Sequence, residues 1–168
     1  MQLVGNNRIG KFKEDKTMTP EQRLEELGIE LPSAPAPVAS YVRTIRQGDC
    51  IYVSGQLPLK SGELVAVGKV GDAVSLENGA EAARQCAINA ISALKAEVGE
   101  LSRITRIIRV TGFVASDPSF TSQPQVVNGA SDLFVSVFGE IGRHTRSAVG
   151  VASLPLDAPV EVEVIAGI

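Results

Sequence analysis

The stretch "TRSAVGVASLPLDAPVEVEVIAG", Thr145 to Gly167, decides the architecture. Val160, Val162 and Val164 alternate with Glu161 and Glu163, the period of a strand with one buried and one polar face. The run from Thr145 to Ser153 is also strand-like, built of small and β-branched residues, and "LPLDAP" between the two carries the turn residues that break a strand. Two closing strands are therefore expected. An arginine, Arg146, stands at the mouth of the first. Read as a hairpin, the pair would set Arg146 across from Glu161 or Glu163. That arrangement suits a structural ion pair, and a cation placed to hold a ligand is the other reading.

Upstream lies "RITRIIRVTGFVAS", Arg103 to Ser116, a strand whose alternation puts Ile108, Val110, Gly112 and Val114 on one face and Ile107, Arg109, Thr111 and Phe113 on the other. Between it and Thr145, the spacing of Val126, Leu133, Phe134, Val137 and Phe138 predicts a helix over about 125–138, after a loop containing Pro118 and Pro124. A longer helix precedes, capped by Ser75 and stopped by Gly99. Its stripe of Leu76, Ala80, Ala83, Ala87, Ala90, Ile91, Leu94 and Val98 is rich enough in alanine to approach a sheet closely. Before that, "YVRTIRQGDCIYVSGQLP" from Tyr41 reads as a hairpin turning at Gln47-Gly48-Asp49, and Leu57 to Gly71 as an irregular second hairpin.

The order β-β, irregular hairpin, α, β, α, β-β makes this an α/β (α+β) domain, a mixed sheet with both helices on one face. Its other face then needs a cover, and association through the open face supplies one. At the N-terminus, Thr19, Pro20, Gln22 and Gly28 bound a short peripheral helix over 20–27, and Pro32, Pro35 and Pro37 favour an extended arm after it. Residues 18–168 read as one domain, with helix and arm at 18–40. Residues 1–17, polar and without period, read as a disordered arm or an upstream start before Met18.

The 168 residues carry a net charge of −3, which argues against a nucleic-acid footprint. Hydrophobic residues make up 44% but aromatics only 4%, so the core must be aliphatic. Two cysteines, Cys50 and Cys86, without a CxxC and with one histidine, argue for reduced core thiols rather than a metal site or disulfide. No cofactor motif is present. No segment reads as a membrane span or a signal peptide, so a cytoplasmic protein is expected.

The blocks "APAPVASYV", "YVSGQLP", "VTGFVASDPSF", "VVNGASDLF" and "TRSAVGVASLPLDAPVEVEVIA", in this order, resemble the Rid (reactive intermediate deaminase; YjgF or L-PSP endoribonuclease-like) family. The resemblance spans about residues 34–168 and is closest to a longer branch with an N-terminal helix. It implies a chorismate-mutase-like fold assembled as a homotrimer, with sites between subunits. It also implies hydrolysis of reactive enamine/imine acids such as 2-aminoacrylate and 2-iminobutyrate to 2-keto acids and ammonia.

By that resemblance Arg146 grips the substrate carboxylate, as a guanidinium does bidentately and an ammonium does not. Glu161 orients or activates the attacking water. Tyr41, Ser54, Gly55, Gln56 and Asn128 line the cleft. Two positions depart from the family pattern: Ala148, where a cysteine is common, and Gly150, where a glutamate is common. The first removes a modifiable thiol but no required catalytic group; the second bears on the cleft rim or subunit packing and puts the substrate range in question. His144, without a partner acid nearby in sequence, reads as a polar surface residue. The competing expectations are a noncatalytic trimer that binds small carboxylates or keto acids, an endoribonuclease, which the acidic balance disfavours, and a chorismate mutase, which fold likeness alone does not justify.

Overall fold

In the computed structural model, residues 18–33 and 40–168 are described. The expected arm at 1–17 and the centre of the proline-rich stretch lie outside them. Five strands form the main sheet: β1 (Thr44–Gln47), β2 (Cys50–Gln56), β5 (Arg106–Ala115), β6 (Thr145–Val151) and β7 (Val160–Gly167), in the order β1-β2-β7-β5-β6. β5 and β6 pair in parallel and every other pair is antiparallel. The fold is the mixed-sheet, chorismate-mutase-like α/β architecture. The small hairpin β3 (Leu59–Lys60) and β4 (Glu63–Leu64) stands apart as a two-stranded sheet.

Two helices cover one face, α2 (Leu76–Val98) over β2 and β7, and α3 (Gln123–Phe138) over β5 and β6. α2 starts where the Ser75 hydroxyl accepts from the Asn78 amide and stops at Gly99. α3 begins two residues earlier than the sequence pattern suggests and takes in Pro124, because proline in a first helical turn lacks only an amide that would have no partner there. The helices touch closely. A Cβ at Gly129 of α3 would overlap the carbonyl of Ala80 in α2, so only glycine allows this crossing. The core between helices and sheet is largely aliphatic, with Ile51, Ile91, Leu94, Val110, Val114 and Phe134 fully buried.

Three expectations fail for identifiable reasons. The two closing strands are not a hairpin: β5 lies between β6 and β7, so neither Glu161 nor Glu163 faces Arg146 across a ladder. The faces of β5 change phase at its start, because a bulge inserts one residue between Ile107 and Arg109 opposite β7; Ile107 is buried and Ile108 turned outward. The short helix α1 (Pro20–Glu26), closed by a capping box between Thr19 and Gln22, is docked rather than peripheral. Its Leu24 joins the core, a burial worth about 2 kcal/mol, and a helix this short would not persist alone. Glu21 ties it down by accepting from the Leu101 amide (2.7 Å) and pairing with Lys95 (3.4 Å). Partial burial opposes the Glu21 charge, yet these contacts hold its carboxyl below the usual range.

The face opposite the helices carries Ile45, Tyr52, Arg109, Thr111, Val149 and Glu163, and no element among the described residues lies over it. Among the described residues no helix is long and apolar enough to cross a membrane. Both cysteines are free; Cys86 is buried but Cys50 only partly so. Burial, reinforced by the nearby Glu161 charge, pushes the Cys86 thiol well up, which leaves it inert.

Candidate active site

The expected site residues fall into two groups. Arg146 pairs in register with Val110, whose side chain is in the core, so the arginine projects to the helix side of the edge strand β6. There α3 meets it. Arg146 Nη1 donates to Asn128 Oδ1 (2.8 Å) and to Ser131 Oγ (3.1 Å), two residues one turn apart on one helix face. Both Nη1 hydrogens are thereby used. Nε and Nη2 take no partner among the described residues, and together they form the side-on fork that matches a carboxylate. A recess of about 280 Å³ opens beside the guanidinium, lined by Ser131, Asp132, Val135, Arg143, His144 and Arg146.

His144 belongs to this group, which sequence reasoning did not foresee. Its Nε2 lies 3.0 Å from Ser131 Oγ and its Nδ1 2.6 Å from the carbonyl of Gly142, and its ring packs edge-on against Phe134. Burial holds its pKa below the ordinary 6.5; the Gly142 carbonyl pulls the other way and the Arg146 charge adds to the lowering. The signal was present in the spacing. Positions 144 and 146 share a strand face, and 128 and 131 share a helix face.

The second group lies on the opposite face of the sheet. Glu161 pairs with Phe113, next to a bulge that sets two residues of β2, Ser54 and Gly55, against one of β7, Glu163, between the pairs Val53–Val164 and Gln56–Val162. Gly55 lies in that bulge directly beneath the Glu161 carboxylate, and any Cβ there would overlap Oε1. Half-burial raises the Glu161 pKa, and the neighbouring Glu163 charge raises it further. Ser54 Oγ donates to the carbonyl of Val42 (2.7 Å), and the Gln56 amide folds back onto the carbonyls of Ser54 and Gly55. Tyr41 is 55% exposed at the strand entry. A larger hollow of about 520 Å³ lies on this face and is rimmed by Tyr52, Ser54, Arg109, Thr111 and Glu163. One copy thus holds a carboxylate fork on one side of its sheet and a raised carboxyl on the other.

Residues 21–168 match the family described as "YjgF/chorismate_mutase-like, putative endoribonuclease". The chain belongs to the YjgF family. Among YjgF-like relatives, the protein TCP17 of Trypanosoma cruzi is 47% identical over 84% of this chain and 89% of its own length. The crystal structure of Atu1372 from Agrobacterium tumefaciens, a protein of unknown function, superposes with a TM-score of 0.84 at 48% identity, covering 89% of this chain and 92% of that one. TdcF of E. coli, crystallised with bound serine, superposes with a TM-score of 0.58 at 26% identity, over 81% of this chain and 94% of its own. Of the two positions singled out in the sequence, Ala148 packs against the core and Gly150 leaves room for the bond from Gln123 to Ser116 (3.2 Å).

Proposed function

We propose that the protein hydrolyses reactive enamine/imine acids of the 2-aminoacrylate and 2-iminobutyrate type, in a cleft completed by a second copy of the chain within a homotrimer. The observation that carries this reading is the arrested guanidinium of Arg146. Its Nη1 is held by Asn128 and Ser131, and its Nε and Nη2 edge is left for a planar anion. A small imino acid presents such an anion beside the carbon that must meet water. Fixing the carboxylate fixes that carbon, and positioning of this kind supplies much of the barrier reduction when little bond chemistry is demanded.

Glu161 then acts on the water. Its raised pKa suits a base, which must accept a proton near neutral pH and return it. The carboxylate takes a proton as the water oxygen bonds to the imine carbon, and the C=N electron pair moves to nitrogen. The proton is passed on to that nitrogen, which gives a carbinolamine. Its hydroxyl proton then moves to the nitrogen through the same carboxylate as the C=O bond forms, the C–N bond breaks with its electron pair on nitrogen, and ammonia and a 2-keto acid leave. Arg146 and Glu161 belong to opposite faces of one sheet, so the cleft takes the arginine from one copy and the glutamate from another. The uncovered sheet face supplies the surface for that association. TdcF, with its bound serine, supports a ligand of this size and charge. The one histidine is already engaged with Ser131 and Gly142, which leaves no histidine pair for ribonuclease chemistry.

The test is release of keto acid and ammonia from freshly generated 2-aminoacrylate and 2-iminobutyrate. Wild type should accelerate it, and Arg146→Ala should lose about a thousandfold in kcat/KM while keeping its oligomeric state. A folded wild type that binds keto acids without releasing ammonia would select the noncatalytic binder. A monomeric or unfolded Arg146→Ala would return the arginine to a structural role.

A further inference from the structure

We infer that Ser131 and His144 are positioning residues that lock Arg146 in the orientation whose free Nε and Nη2 edge receives the carboxylate, an inference that rests on the deaminase reading above. The argument is a count of hydrogens. The Gly142 carbonyl can only accept, so the His144 Nδ1 at 2.6 Å carries a hydrogen. In the neutral ring Nε2 is then an acceptor, and the group 3.0 Å away is the Ser131 hydroxyl. Ser131 has one hydrogen, and it goes to His144. Its oxygen lone pair is thereby turned to Arg146 Nη1, 3.1 Å away.

The chain Gly142 carbonyl, imidazole, hydroxyl, guanidinium therefore has one direction, and each member fixes the next. Asn128 alone would leave the guanidinium free to swing about one bond, whereas a second acceptor stops it. The edge-on contact with Phe134, with ring centres 5.9 Å apart, holds the imidazole plane. The charged groups that line the same recess are Arg143, Asp132 and Arg146 itself. Burial and the Arg146 charge both favour the neutral ring that this arrangement needs.

The histidine is unique in the chain, so its ring nitrogens give an unambiguous NMR signal. The expected signal at neutral pH is the neutral tautomer protonated on Nδ1. Binding of 2-oxobutyrate, measured by calorimetry, should weaken about fivefold to tenfold in Ser131→Ala and in His144→Leu, the scale of one lost hydrogen bond to a charged group. His144→Gln, which keeps an acceptor near the Nε2 position, should restore most of it. In an Arg146→Lys background, Ser131→Ala should cost nothing more, because its effect runs through the guanidinium.

A ring protonated on Nε2 alone, or a folded Ser131→Ala that binds as tightly as wild type, would overturn the inference. If wild type neither binds 2-oxobutyrate nor hydrolyses imines, the deaminase reading falls by itself. Rotation of the Arg146 guanidinium, read from its own nitrogen signals, then decides the lock: slow in wild type and faster in Ser131→Ala supports it, and equal in both sinks it.

Discussion

The two halves of the candidate site are held in place by opposite means. Around Arg146 every constraint is a partner, with a carboxamide, a hydroxyl and an imidazole arranged so that part of a cation is used and part left over. Around Glu161 the constraint is an absence, the missing side chain of Gly55 in a bulged strand, and the carboxyl is tuned by burial and by Glu163, with no hydrogen-bonded partner among the described residues. A cation that must orient a planar group gains from directional bonds. A base that must give and take a proton gains from an environment that penalises its charge.

That contrast can be broken from either side. The largest effect belongs to Arg146→Ala, since all orientation is lost with the fork. On the other side, Glu161→Gln should lower kcat about a hundredfold and leave KM for the carboxylate nearly unchanged. In wild type kcat should rise with pH through the raised Glu161 pKa, and the glutamine variant should show no such limb.

Stability should move the other way. The folded chain binds the proton more tightly than the unfolded one, so stability falls as pH rises from the ordinary 4.5 through the raised value, and Glu161→Gln removes that fall in a pH series of thermal unfolding. The smallest effect is expected from Gly55→Ala. Its methyl group would displace the carboxylate, and kcat should fall about tenfold with carboxylate binding preserved. Equal losses of KM and kcat in both glutamate-side variants would mean that the two halves are not separate functions.

Much of the fold was legible because its periodicities are long. α2 and its caps, the inward residues of α3 and the alternation of β7 follow directly from spacing. The neighbour relations were not. Two strands joined by a short proline-rich connection look like a hairpin, and nothing local in "LPLDAP" reveals that the chain steps over β5 to reach its place beside β2. The bulge at Ile108 was hidden for a similar reason: two adjacent isoleucines satisfy either phase of a strand, and only pairing with β7 chooses. In the site, Arg146 and Asn128 came from a family resemblance, whereas Ser131 and His144 were readable from spacing once helix and strand faces were considered together.

The placement of Arg146 and Glu161 on opposite faces of one sheet carries a genetic consequence under the two-copy reading. Two inactive chains, one lacking the arginine and the other the glutamate, are defective in different halves of a shared cleft. Coexpressed, they would assemble some clefts with both intact halves, and a cell carrying the two broken alleles would recover part of an activity that neither allele provides alone.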